Sequence, residues 1–228
     1  MQLNYNTVYG TFIQRPNRFI AYIDVDHQKI SCHVPNTGRL KELLYPGAQV
    51  ILSHHPSGKR KTDYSLRMIK KKNHWISIDS QLPNALAYEA ILNGNIEELR
   101  GYSMVKREIC FGKSRFDLQL SGNDTCFVEV KGVTLEKDNW SYFPDAPTQR
   151  GRKHIDEMIG VIEKGYRGVI LFIVQIPYAK GFSPNWATDP GFAQKLKEAS
   201  EKGVEILAYK CHISPNEVFV TEKIPVIL

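Results

Sequence analysis

Two alternating apolar/polar runs, SRFDLQL at 114–120 and FVEVKGV at 127–133, flank a Ser121-Gly122-Asn123-Asp124-Thr125 turn. A chain with this pattern folds back on itself as an antiparallel hairpin. Pairing about Asn123 sets Asp117 opposite Glu129, and alternation places Lys131 on the face of Glu129. Opposed Cβ atoms sit about 4.5–5.5 Å apart, close enough for two carboxylates to share one divalent cation. A lysine beside them can orient a water, which is the chemistry of metal-assisted phosphodiester hydrolysis. Asp117, Glu129 and the Val130 carbonyl are the expected ligands of Mg²⁺ or Mn²⁺, with Lys131 as the group acting on water or phosphate. The competing reading is a cross-strand salt bridge between Lys131 and a carboxylate, worth about 0.2–1 kcal/mol.

The context decides between them, because a Glu-Val-Lys tripeptide arises about once by chance in a chain of this composition. PNALAYEAI reads as a helix from Pro83 to about Leu92, carrying Glu89 among apolar residues, where a carboxylate can complete a metal shell. Strands over Ser103–Phe111, Arg115–Leu120 and Thr125–Lys131 follow, then a long loop through Phe143-Pro144-Asp145-Ala146-Pro147. Ile155, Met158, Ile159 and Ile162 recur at helical spacing in a helix from Thr148 to Lys164. Its basic first turn offers Arg150 and His154, four residues apart, to a phosphate at a helix N-terminus. The apolar run Val169–Val174 reads as a strand buried on both faces, and Asp189-Pro190 starts a last helix that ends at Gly203. Val204–His212 and Glu217–Val220 complete the strands.

Before residue 80 the pattern is different. Short strands over Val8–Gln14, Phe19–Val25, Lys29–Val34 and Gln49–Ser53, and two within Tyr64–Ile78, are separated by turn signals. A single short helix, Arg39–Leu44, capped by Thr37, is expected between the third and fourth strands. That order suits an OB-type barrel. The expected domains are therefore 1–80, barrel-like, and 81–228, α/β.

Charge follows the same division. Residues 1–80 carry 12 Lys+Arg against 5 Asp+Glu, net +7, whereas 81–228 carry 18 against 19, net −1. A polyanion held by the first part gains sequence-independent attraction. Arg15, Arg18, Arg39, Lys59, Arg60 and Lys61, with Arg115, Arg150 and His154, are the expected nucleic-acid contacts, and IKKKNHW adds Lys70, Lys71, Lys72 and Trp75. Neither a Gly-rich nucleotide loop nor a GxSxG elbow occurs. The longest apolar run has six residues against the roughly 20 a bilayer requires, and MQLNYNTVYG has no basic, apolar leader. The expected location is cytoplasmic and the expected partner DNA, with no membrane, no protein partner, and a homodimer left open. Cys32, Cys110, Cys126 and Cys211 lack CxxC spacing and read as reduced thiols buried in strands.

Over nearly its whole length the chain resembles the sugar fermentation stimulation protein A (SfsA) family. The segments that carry the resemblance are GTFIQRPNRFIAYI, CHVPNTGRLKELLYPG, RKTDYSL, GYSMVKRE, SRFDLQL, FVEVKGVTLE, FPDAPTQRGRKH and LFIVQIP. The resemblance implies an N-terminal OB-fold β-barrel joined to a PD-(D/E)XK nuclease-like α/β domain. Members look like DNA-binding proteins without marked sequence preference, proposed to regulate sugar, notably maltose, metabolism. Asp117, Glu129 and Lys131 match the nuclease motif, with Phe116 where the motif has proline, and Glu89 matches the helical acid of some branches. Two functions are compatible with this: a Mg²⁺-dependent nuclease that binds DNA, or a non-catalytic transcriptional regulator using the same basic surface.

Overall fold

The computed structural model describes residues 1–55, 61–112 and 114–228. The first unit contains β1 (Asn6–Gln14), β2 (Ile20–Val25), β3 (Gln28–His33), β4 (Gln49–His54), β5 (Tyr64–Lys71) and β6 (His74–Ser77). They form one sheet in the order β3-β2-β1-β4-β5-β6. A parallel pairing of Cys32 with Tyr64 and His33 with Ser65 joins β3 to β5, so the first five strands close on themselves in the OB order. Closure at this short seam encloses Ala21, Ile23, Cys32, Val50, Leu52, Leu66 and Ile69, all fully buried. Asp26-His27 and Lys72-Asn73 turn β2 into β3 and β5 into β6 with positive φ at both central residues, matching the twist of a two-residue hairpin.

The expected helix over Arg39–Leu44 does not form. Leu40 adopts φ +51°, and only one turn results, closed by the Leu44 N–H on the Leu40 carbonyl at 2.8 Å. Six residues cannot repay helix nucleation, and the burial of Leu40 and Leu43 fixes a turn instead. The cap is also different: Asn36, not Thr37, accepts the Gly38 N–H through its Oδ1.

The second unit comprises α1 (Leu82–Leu92), a 3₁₀ turn, β7 (Met104–Phe111), β8 (Ser114–Ser121), β9 (Thr125–Val133), β10 (Leu135–Lys137), β11 (Trp140–Phe143), α2 (Gln149–Glu163), β12 (Arg167–Val174), β13 (Gly181–Pro184), α3 (Pro190–Glu201), β14 (Glu205–Ile213) and β15 (Val218–Lys223). Its main sheet runs β15-β14-β12-β9-β8-β7, parallel through β9, β12 and β14 and antiparallel at both edges. Leu86, Ala87 and Ala90 of α1 cover one face, while Ile155 and Met158 of α2 and Phe192 and Leu196 of α3 cover the other. Thr148 and Asp189 cap α2 and α3 through side-chain oxygens. The segment between β9 and α2, expected as a loop, instead contains β10 and β11, which join β13 in a three-stranded sheet. These strands are only three or four residues long, too short to register as alternating runs.

The two units share surfaces. Ile51 of β4 and Met68 of β5, paired on the outside of the barrel, are buried in the same apolar cluster as Leu86 and Val130. Met1, Leu3 and Tyr5 also pack on that cluster, and the Leu3 N–H donates to the Asn216 carbonyl, so the chain's first residues lie against the second unit rather than in the barrel. Cys32, Cys126 and Cys211 are buried as expected, but Cys110 is exposed because β7 is the sheet's edge strand; all four are unpaired. Among the described residues no helix is long and apolar enough to cross a membrane.

Candidate active site

The β8–β9 ladder has the expected register, with Leu118 opposite Val128, one step from Asp117 and Glu129. It ends there. Asp117 is also absent from the β7–β8 ladder, which skips from Arg107–Leu118 to Ile109–Phe116 around Glu108, a residue at φ +55°. Phe116 packs in the core on the α2 side and Leu118 in the core on the α1 side, so β8 changes face at Asp117. Irregularities of this kind re-aim a side chain out of the pleat. Freed from both ladders, the Asp117 carboxylate accepts the Val130 N–H through Oδ2 at 2.8 Å and the Asn84 amide through Oδ1 at 2.6 Å. Asn84 was not singled out by the sequence; its position in the first turn of α1 is what brings it there.

Glu129 is 3 % exposed, and one of its oxygens, Oε1, contacts both Lys131 Nζ and His154 Nδ1. Arg150 Nε approaches His154 Nε2 at 3.4 Å as a donor, which assigns the imidazole proton to Nδ1, from where it donates to Glu129. Lys131 Nζ lies 3.3 Å from the same Nδ1. Asp117, Glu129, Lys131, His154 and Arg150 are thus brought together by β8, β9 and the first turn of α2.

The electrostatics of the two carboxyls diverge. Burial, and then the neighbouring charge of Glu129, pushes the Asp117 pKa up against the hydrogen bonds from Val130 and Asn84. Burial acts on Glu129 too, but the hydrogen bond from His154 and the charge and hydrogen bond of Lys131 outweigh it and hold that pKa below the usual range. Two carboxylates and a backbone carbonyl are the hard oxygen donors that suit Mg²⁺, an ion commonly held by one or two carboxylates together with substrate phosphates. A cation there would offset both the burial of Asp117 and the neighbouring charge of Glu129, which together raise its pKa. Among the described residues no group of three or more His, Cys, Asp or Glu side chains is arranged around a common metal position.

Other expected site residues lie elsewhere. Glu89 pairs with the Met1 amino group at 2.9 Å instead of joining Asp117; the α1 residue that reaches the site is Asn84, five positions earlier. Arg15 is not available to a phosphate, because its guanidinium donates to the carbonyls of Arg18, Asn36, Gly38 and Arg39. Lys71 and Lys72 are engaged by Glu136, at 2.8 and 3.0 Å. Arg115 pairs with Glu108 at 2.9 Å across the sheet edge. Arg18, Arg39 and Lys61 are exposed, with Arg18 over the Phe19 ring, whereas Lys59 and Arg60 fall outside the described residues.

Comparison with known proteins agrees with this architecture. Residues 13–78 match the family model "SfsA N-terminal OB domain" and residues 81–217 match "Sugar fermentation stimulation protein RE domain". The sugar fermentation stimulation protein homolog of Caldanaerobacter subterraneus subsp. tengcongensis is 49% identical over 220 residues, covering 96% of each chain. That of Thermoanaerobacter sp. (strain X514) is 48% identical over 223 residues, covering 97% of each. The solved structure of Pyrococcus furiosus SfsA in complex with Ca²⁺ superposes with a TM-score of 0.90 at 30% identity, over 100% of this chain and 98% of that one. An OB barrel followed by an α/β domain that matches the RE domain of this family is therefore the fold of this protein, and the chain belongs to the sugar fermentation stimulation protein (SfsA) family.

Proposed function

We propose that the protein binds DNA without marked sequence preference and hydrolyses phosphodiester bonds with Mg²⁺ or Mn²⁺, residues 1–80 contributing the main DNA-holding surface and 81–228 the hydrolytic site. The observation that supports this most directly is the placement of Asp117 and Glu129 on adjacent strands, with Asp117 released from both ladders and its carboxyl resisting ionisation. Asp117, Glu129 and the Val130 carbonyl would hold the ion, which when bound supplies Lewis-acid polarisation of the phosphate and acidifies water. Asn84 and the Val130 N–H orient Asp117, and His154 orients Glu129. Lys131 Nζ, beside Glu129, positions a water or steadies charge on a phosphate oxygen. Arg150, exposed at the start of α2, meets the adjoining phosphate with the help of the free N–H groups there. On the barrel, Phe19 and Lys61 line a cavity of about 580 Å³ beside Arg18, a mixture of ring and charge that suits a strand of DNA. The unpaired cysteines suit a reducing cytoplasm.

One feature favours a second reading. Lys131 rests on Glu129, which a purely structural ion pair would also do, and in that case the protein would be a DNA-binding regulator without turnover. Incubation of the purified protein with linear, circular and single-stranded DNA in Mg²⁺ or Mn²⁺ separates the two. Cleavage abolished by Asp117→Ala is expected; binding with no cleavage, or cleavage indifferent to Asp117→Ala, would discard the hydrolytic role.

A further inference from the structure

Two cavities between the barrel and the second unit adjoin each other. The outer, about 580 Å³, and the inner, about 180 Å³, share Leu135, Tyr142 and Asp145 as walls. Trp186 stands at the outer one with 43 % of its surface exposed, beside Arg39, Lys41 and Lys137, all exposed. The inner one ends on Gly132, the residue after Lys131, and on Gln175. Gln175 is only 1 % exposed, yet its Oε1 has no hydrogen-bond partner. An orphaned buried carbonyl is costly, and in a polar cavity it calls for a donor from a ligand or water. Asn36, Thr37 and Gly38 close the barrel side so tightly that a Cβ on Gly38 would lie 2.6 Å from Asp145 Oδ2.

We propose that this cleft is a single-strand site, in which Trp186 stacks a base while Gln175 and Asp145 accept hydrogen bonds from the exocyclic amino group of a second base. The inference rests on the DNA-binding reading above and assigns it a location and a preference. The outer cavity sets Arg39, Lys41 and Lys137 against Glu42 and Asp145 and carries an exposed indole, the pairing of cation and ring that grips backbone and base of single strands. The interior offers a carboxylate and an amide carbonyl, which repel phosphate and accept from N–H donors, so a base rather than a phosphate enters it. Adenine and cytosine present such an amino group on the edge that thymine fills with a carbonyl.

Labelled oligo-dC, oligo-dA and oligo-dT, and a mixed-sequence duplex, can be titrated with the protein in EDTA and followed by fluorescence anisotropy. Wild type should bind oligo-dC and oligo-dA more tightly than oligo-dT. Trp186→Ala should weaken every single strand about tenfold, the worth of one stacked base, with duplex binding unchanged. Gln175→Met, close in volume, should erase the preference for amino bases; its melting temperature reports whether it folds, and Asp145→Asn supplies a second test of the same preference. Single-strand binding that Trp186→Ala leaves unchanged, or equal affinity of wild type for all three oligonucleotides, would overturn the cleft while leaving DNA binding intact. Absence of binding to any DNA would overturn both readings.

Discussion

Asp117 Oδ2 accepts the Val130 N–H at 2.8 Å, a side chain standing where the next rung of the β8–β9 ladder would be. The carboxylate is thereby fixed against β9, beside Glu129, while both of its neighbouring strand pairings are broken.

Removing the charge at Asp117 should separate function from stability. At neutral pH the folded protein carries a penalty for ionising Asp117, since its pKa is raised by burial and by Glu129; the penalty is absent below the unfolded carboxyl's value, near 3.9. Asp117→Asn keeps an acceptor for Val130 and is expected to abolish cleavage while raising the melting temperature of the metal-free protein by about 2–4 °C at pH 7. That gain should vanish near pH 3. A lower melting temperature at pH 7 would contradict it.

Gly132 is expected to be intolerant of a methyl group. A Cβ there would lie 2.6 Å from Pro83 Cγ, and Pro83 precedes the Asn84 that holds Asp117. Gly132→Ala should push the start of α1 away and reduce cleavage about 10- to 100-fold. Affinity for duplex DNA in EDTA should change little, which a binding titration beside the cleavage assay will check.

Arg15 should prove structural although it sits in the basic half of the chain. It gathers four carbonyls from the turn after β1 and the segment after β3. Arg15→Ala is expected to cost about 2 kcal/mol or more, read as a urea midpoint, because those carbonyls lose charged donors. Affinity of the folded fraction for duplex DNA should stay within about twofold of wild type, a change worth roughly 0.4 kcal/mol.

Glu136 joins the two units and should make the protein acid-sensitive. Although burial opposes its charge, Lys71, the Asn139 N–H and Lys72 hold its pKa at about 2. A depressed pKa contributes stability that is complete above the unfolded value, near 4.3, and is lost as pH falls through about 2. Glu136→Gln should therefore lower stability at pH 7 by about 1–3 kcal/mol, and urea midpoints of wild type and variant should converge between pH 4 and 2. A difference that persists at pH 2 would mean packing, not charge, is responsible.

Much of the site was legible because it follows from local spacing. Asn123 at the turn sets the register of Leu118 against Val128, and from it the neighbourhood of Asp117, Glu129 and Lys131; helical spacing put Arg150 and His154 on one face. The alternation that marks strands, and the Asp189 cap, likewise depend on neighbours in the chain. Arg39–Leu44 misled for the opposite reason: a helix-like composition was overridden when Leu40 and Leu43 turned into the barrel.

The sequence by itself determined most of the longer strands and helices, the carboxylate hairpin and the concentration of positive charge before residue 80, since period, turn chemistry and charge are properties of neighbouring residues. Only the tertiary structure decided which charges are free. Arg15, Lys71 and Lys72 look alike in sequence to Arg18 and Lys61, but the first three are consumed by carbonyls and by Glu136, partners more than twenty positions away in the chain for most of these contacts. Glu89 was lost to the site and Asn84 gained because helix orientation, set by packing across the sheet, selects which residue of α1 faces Asp117. The cleft ending at Gln175 exists only because β10, β11 and β13 meet the barrel, and long-range packing of that kind leaves no periodic trace in a linear chain.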